Sequence, residues 1–121
     1  MAQHNHTGEE GENEARIYLQ KKGYKILHTN WHYGSYELDI IAEKDGELII
    51  AEVKTRTSNH YEAPEDAVGK SKIKRIVSAA DGYIRLNDID LSPRFDIISI
   101  CKTPKGWEID HIEDAFYPPI M

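Results

Sequence analysis

The stretch Glu37-Leu38-Asp39-Ile40-Ile41-Ala42-Glu43-Lys44-Asp45-Gly46-Glu47-Leu48-Ile49-Ile50-Ala51-Glu52-Val53-Lys54 decides how this chain is read. Asp-Gly between two apolar, β-branched runs predicts a hairpin closed by a two-residue type I′ turn. That turn pairs Lys44 with Glu47, and the same register then sets Ile41 opposite Ile50, Asp39 opposite Glu52 and Glu37 opposite Lys54. Opposed residues on neighbouring strands hold their Cβ atoms about 4.5 to 5.5 Å apart, and like charges there are destabilising. At roughly 5 Å and an effective dielectric near 20 the repulsion is on the order of 3 kcal/mol, so the pair calls for a neutralising partner. Lys54, two residues from Glu52, shares its face of the strand. The hairpin thus predicts an Asp39, Glu52, Lys54 triad where the apolar surface of Leu48 and Ile50 turns ionic.

A hard divalent cation such as Mg²⁺, or Mn²⁺ in its place, fits Asp39 and Glu52. Such ions prefer carboxylate and water oxygens, take one or two protein carboxylates and keep positions open for phosphate. Lys54 would orient the attacking water or hold the scissile phosphate. A Glu-x-Lys on a strand is by itself most often a solvated salt bridge; the facing Asp39 is what separates this case.

Outward from the hairpin, the chain alternates helical and strand periodicities. Thr7 and Glu10 have the spacing of a capping box and Gly23 stands where a helix would stop, so a helix is expected over Gly8–Lys22, with Ala15, Tyr18 and Leu19 as its apolar stripe. At about 100° per residue Glu12 falls on the border of that stripe and faces inward as a further acid. Gly8 and Gly11 on the same side would let another backbone or a ligand come close. Strands are expected at Tyr24–Asn30, Glu37–Lys44 and Glu47–Arg56. A second helix carries Ile73, Ile76, Val77, Ala80, Tyr83 and Ile84 at helical spacing, with Ser71 as N-cap. Arg94–Lys102 reads as a strand covered on both faces and Trp107–Ile112 as a shorter one. The expected class is α/β, in the order α, β, β, β, α, β, β.

The chain has 121 residues, 15 Lys+Arg against 21 Asp+Glu, a net charge of −6 and 40% apolar residues. That is one domain, residues 1–121, with residues 1–6 expected as a tail and 57–69 as a flexible loop. An acidic total argues against coating nucleic acid or anionic membrane by bulk charge. Cys101, the single cysteine, excludes an intramolecular disulfide and reads as a small buried hydrophobe. With no leader-like start and no long apolar run, the expectation is a cytoplasmic protein with no membrane partner. No two of the six histidines stand at ligand spacing on an expected helix, which argues against zinc.

Charge by segment changes the partner. Residues 1–53 hold 5 basic and 10 acidic groups, 54–75 hold 6 and 3, and 76–121 hold 4 and 8. The one positive segment begins at Lys54 and Arg56 and includes Lys70, Lys72, Lys74 and Arg75 at the start of the second helix, where backbone amides also favour phosphate. Its ordinary reading is a solvated helix face; its place beside the triad favours nucleic acid, DNA above all. Trp31, Tyr33 and Tyr36, placed in a loop before the Asp39 strand, would either stack on bases or cap the core.

Glu12, then Asp39, then Glu52-Val53-Lys54 in an αβββαβ order resembles the PD-(D/E)XK nuclease superfamily, the restriction-endonuclease-like fold that includes archaeal Holliday junction resolvases. Within it the chain is similar to the bacterial YraN-type family. The similarity is carried by Gly11-Glu12 with Ala15, Tyr18-Leu19 and Gly23-Tyr24, by Glu37 to Ala42, by Glu52-Val53-Lys54 with Arg56, by Ala67-Val68 with Lys72, by Arg94 to Ile98 and by Ala115-Phe116. Leu38 stands where the motif's proline would be. The resemblance implies a mixed central sheet flanked by helices and a metal-dependent site with Asp39 and Glu52 as ligands, Lys54 as catalytic lysine and Glu12 as the helix acid. Related resolvases act as dimers, so a homodimer would suit a two-fold substrate. The resulting expectation is a nuclease hydrolysing phosphodiesters, on branched or single-stranded DNA. The competing class is a non-catalytic nucleic-acid-binding or protein-interaction module on the same fold.

Overall fold

The Asp45-Gly46 turn carries φ values of 52° and 81°, both positive as a type I′ turn requires. In the computed structural model, which describes residues 3–57 and 69–116, this turn joins β2 (Tyr36–Lys44) to β3 (Glu47–Thr57). Pairing runs in the predicted register from Lys44↔Glu47 to Ile40↔Ala51. The ladder stops there, so Asp39 and Glu52 are not cross-strand partners. Instead an Asp39 carboxylate oxygen accepts the Val53 N–H at 2.9 Å. The side chain has replaced a backbone group where the strands part.

Upstream lies α1 (Gln3–Lys21), which begins before the predicted start. Thr7 is inside this helix and is not its cap, and residues 3–6, expected as tail, belong to it. Adding a residue to an existing helix costs far less than nucleating one, so a capping signal inside a polar run need not end it. The predicted stop is present. Gly23 has φ 93°, its N–H donates to the Gln20 carbonyl at 3.1 Å, and Tyr24 N–H donates to Leu19 at 2.9 Å, which together form a Schellman motif.

From there β1 (Lys25–Tyr33) pairs antiparallel with β2. Trp31 and Tyr33 are therefore strand residues and Tyr36 opens the next strand, with only Gly34 and Ser35 between. After β3 the chain crosses by α2 (Lys70–Leu86) to β4 (Ser92–Thr103), parallel to β3, and returns through β5 (Gly106–Ile112). The residue at the N-cap of α2 is Gly69, extended and without a side-chain cap bond; Ser71 lies within the first turn. The five-stranded sheet has the order β1-β2-β3-β4-β5. This is the expected mixed α/β architecture. The loop predicted between Thr57 and Gly69, with Ala67 and Val68, and the Pro118-Pro119 tail lie outside the described residues except for those two ends.

Two apolar layers cover the sheet. Ile41, Leu48, Ile50, Phe95 and Ile97 pack with Ile76, Ala79, Ala80 and Tyr83 of α2, whereas Ile40, Ala42, Ile49, Ala51, Ile98 and Ile100 pack with Ala15 and Leu19 of α1. Alternation along each strand puts one helix on each face. As predicted for a strand covered on both sides, Phe95 to Ile100 are all buried. Cys101 just beyond them is half-exposed rather than buried.

Besides a bulge in β1 between Ile26 and His28, the alternation breaks along β2. Leu38 joins the layer under α2, yet Ile40, two residues on, joins the layer under α1. The β1–β2 ladder passes from Thr29↔Ile40 to Trp31↔Leu38 and skips Asn30 and Asp39. Asn30 takes φ 50°. Both strands switch faces at these opposed residues, so Asp39 sits at a matched distortion rather than on either sheet surface.

Among the described residues no helix is long and apolar enough to cross a membrane.

Candidate active site

Three elements deliver acids to the distortion. From β2 comes Asp39, held by the Val53 N–H. Glu52, the first residue of β3 past its last pair with β2 and still paired with Ile97 of β4, is 4% exposed. Its Oε1 accepts the Tyr36 hydroxyl at 3.1 Å, and its Oε2 is buried with no hydrogen-bond partner. Glu12 reaches in from α1, accepts Asn30 Nδ2–H at 3.0 Å and shares with Asp39 a pocket of about 220 Å³ also lined by Asn13, Arg16 and Thr29. Glu12 thus faces inward as its helical phase predicts.

Gly11 is what lets α1 come this close. A Cβ there would lie 2.2 Å from Thr55 Oγ1 and 2.9 Å from its Cγ2, so the helix seats directly on the end of β3. The close approach expected at Gly8 is not present; nothing lies within 4 Å of a Cβ placed there.

Burial sets the charge state of the acid pair. It pushes the Glu52 carboxyl well above the ordinary carboxylate range, and the neighbouring Asp39 charge pushes it further; Lys72, the Tyr36 hydroxyl and the Asp39 backbone N–H pull it back in part. Asp39 is raised by burial and by Glu12, against the Val53 N–H and Lys72. The Asp39 charge thus adds to the cost of ionising Glu52 although the two are not cross-strand partners. The cation whose field acts on both is Lys72.

The predicted cations are dispersed around the acids. Lys54 is exposed on β3 beyond Glu52. Arg56 donates to Ser99 Oγ on β4 at 2.9 Å. Lys70, Lys72, Lys74 and Arg75 are all exposed on the first turns of α2. Trp31, Tyr33 and Tyr36 pack against the α2 layer; Trp31 stacks on Tyr33 at 5.9 Å and meets Tyr83 edge-on at 5.1 Å. They are core caps in the main. Sequence reasoning did not find Tyr36 as a partner of Glu52, nor Asn30 as a partner of Glu12, because both depend on the distortion.

A divalent cation fits this donor set. Glu52 has a buried oxygen without a partner and feels the charge of a second carboxylate, and removing two like charges from water calls for a counter-charge. No cluster of three or more His, Cys, Asp or Glu side chains able to hold a metal occurs among the described residues. A two-carboxylate site completed by water and phosphate is the pattern of Mg²⁺ rather than zinc.

Residues 11–100 match Uncharacterised protein family UPF0102, a span that takes in Glu12, Asp39, Glu52, Lys54 and the cations of α2. The chain belongs to the UPF0102 family. A UPF0102 protein of Parabacteroides distasonis is 60% identical over 119 residues, covering 98% of each chain. Those of Phocaeicola vulgatus and Bacteroides thetaiotaomicron are 53% and 52% identical over 120 and 121 residues, covering 99% and 100% of each chain. UPF0102 is the YraN-type family, a member of the PD-(D/E)XK-like nuclease superfamily, and the mixed sheet with a helix on each face agrees with a restriction-endonuclease-like core.

A second buried polar cluster lies under α1. Asp96, fully buried, accepts Arg94 Nε–H at 2.9 Å and Nη2–H at 2.8 Å and the Asp114 N–H at 3.1 Å, and it bonds His111 Nε2 at 2.7 Å. His111 Nδ1 meets the Tyr18 hydroxyl at 3.0 Å, and Arg94 also donates to Tyr24 at 2.8 Å. Burial alone would raise the Asp96 carboxyl, but His111, Arg94 and the Asp114 N–H together hold it below the ordinary range. This satisfied network ties α1 to β4 and β5.

Proposed function

We propose that this UPF0102 protein is a Mg²⁺- or Mn²⁺-dependent nuclease that hydrolyses phosphodiester bonds in nucleic acid, DNA first, with branched or single-stranded structures as its targets. The observation that carries this is the buried, unpartnered Oε2 of Glu52 beside Asp39. A purely structural carboxylate would have its oxygens satisfied.

Asp39 and Glu52 are the residues that would hold the cation. When bound, the ion supplies charge stabilisation and an acidified water for attack. The protein's own groups do the rest. The Val53 N–H and the Tyr36 hydroxyl fix the two carboxylates, so the ligand geometry is preset. Glu12 accepts a proton or orients water from the α1 side. Lys54 orients the attacking water or holds the scissile phosphate, and Lys72 adds positive potential at the mouth of the site. Arg56, Lys70, Lys74 and Arg75 extend that potential along the strand being cut.

Calorimetric titration with Mn²⁺ tests the site: wild type binds and Asp39→Ala does not. A panel of single-stranded, nicked, flapped and four-way DNA then reports cleavage and preferred structure. Absence of Mn²⁺ binding to wild type at millimolar metal would overturn the reading.

A further inference from the structure

Beside the acid pair, on the α2 side, the β1–β2 turn and α2 enclose an open groove of about 360 Å³, lined by Tyr33, Ser35, Tyr36, Lys74, Arg75 and Ser78. That is the size of a small-molecule site and matches one nucleotide rather than a duplex. We infer that this groove is a subsite for the sugar-phosphate of the nucleotide next to the one cut, gripping the strand by its phosphate and not by its base. The inference deepens the nuclease reading and rests on it for the identity of the strand.

The lining has the chemistry of an anion site. It offers an ammonium, a guanidinium fork and the hydroxyls of two serines and two tyrosines, and no acid is among the described residues that line it. Lys74 and Arg75 are exposed and form no salt bridge with any described residue. Solvated cations of this kind keep their charge for a phosphate.

Position joins the groove to the acids. Tyr36 forms part of the wall, feels the Arg75 charge, and points its hydroxyl at Glu52 Oε1. A strand seated in the groove therefore ends at the acid pair. The wall is also rigid: a Cβ on Gly82 would lie 2.3 Å from the Tyr33 ring, so that ring packs tightly against α2 at this glycine, and its stacking partner is Trp31. With Tyr33 engaged in this way and no side-chain amide in the lining, the groove has little with which to discriminate one base from another.

Fluorescence anisotropy with labelled oligothymidylate and oligoadenylate of equal length, in EDTA and over a salt series, tests this. The Lys74→Ala/Arg75→Ala double variant, altered only at exposed positions and checked for an unchanged thermal melt, should bind both oligomers roughly tenfold more weakly. Its log-affinity against log-salt slope should fall by about 0.7, the release expected for one single-strand phosphate contact. Unchanged affinity and slope overturn the subsite, and so does a loss confined to one of the two oligomers, since that is base recognition. Because the measurement contains no metal, it separates the two readings. Failure of wild type to bind Mn²⁺ with the slope change intact removes the nuclease reading and leaves the groove. Mn²⁺ binding at Asp39 with no slope change removes the groove alone.

Discussion

The Tyr36 hydroxyl donates to one oxygen of Glu52 at 3.1 Å and leaves the other oxygen buried without a partner. Tyr36 opens β2 and Glu52 lies in β3 past the last cross-strand pair. The bond therefore bridges strands at the point where the backbone ladder no longer does. It fixes the carboxylate's rotation and leaves Oε2 as the oxygen without a partner.

Tyr36→Phe should expose this directly. Losing a hydrogen bond to a charged group is worth about 1.5 to 3 kcal/mol, so the Glu52 carboxyl should rise further, by about one to two pH units. Mn²⁺ affinity at neutral pH should fall by at least about tenfold and recover as pH is raised, because the ligand form is the deprotonated one. Metal titrations across pH check it. Equal affinity for variant and wild type at every pH would show that the hydroxyl does not position Glu52.

The acid pair also sets a pH dependence of stability with an unusual sign. Both carboxyls are raised on folding, to about 6 for Asp39 and about 8 for Glu52. The folded protein thus holds protons that the unfolded chain has released, and metal-free stability is full below the ordinary carboxylate range and is lost as pH rises toward 8. The melting temperature in EDTA should fall across that window. Glu52→Gln should flatten the fall, and millimolar Mn²⁺ should reverse it at pH 8. Asp96 acts oppositely: its carboxyl is lowered, so its contribution is lost as pH falls below the ordinary range.

Gly11→Ala tests how α1 is seated. The added methyl would meet Thr55 at 2.2 Å, and Thr55 is short and β-branched, so the helix must shift. Overpacking costs about 1 to 3 kcal/mol, offset by up to about 1 kcal/mol of helix propensity. Urea melts should show a net loss that Thr55→Ala suppresses. Any shift of α1 also draws Glu12 away from Asp39, so cleavage should drop more than stability alone explains.

Asp96→Asn should cost about 3 kcal/mol or more, because Arg94 would keep its position inside the protein without its bidentate counter-charge. Chemical denaturation measures the loss. The network lies under α1, on β4 and β5, so the folded fraction should bind Mn²⁺ with wild-type affinity. A large fall in affinity would instead couple this cluster to the acid pair.

Much of this was legible in local sequence. Asp45-Gly46 alone determines the hairpin and its first five pairs, because few dipeptides accept two consecutive positive φ angles. Gly23 stops α1 for the same reason, and the 3.6-residue periodicity of Ile73, Ile76, Ala80 and Tyr83 places α2 against the sheet. Asp39, Glu52, Lys54 and Glu12 could be singled out from spacing, since like charges brought together on a strand pair need an explanation that solvent does not supply. The capping signals at Thr7 and Ser71 misplaced both helix starts, because a cap is worth about 1 kcal/mol and a neighbouring turn of helix can match it.

What the sequence by itself determined is therefore the order of elements, the hairpin register near its turn, and which acids the fold gathers. What only the tertiary structure decided is how those acids meet. The register predicted Asp39 opposite Glu52 on a continuous ladder; packing of Leu38 beneath α2 and of Ile40 beneath α1 instead forces both β1 and β2 to change faces at Asn30 and Asp39. That switch depends on two helices clamping opposite sides of one sheet, a long-range condition that no local window of residues contains. It opens the strands, buries Glu52 beside Tyr36, and brings Glu12 and Lys72 from separate helices to a single acid pair.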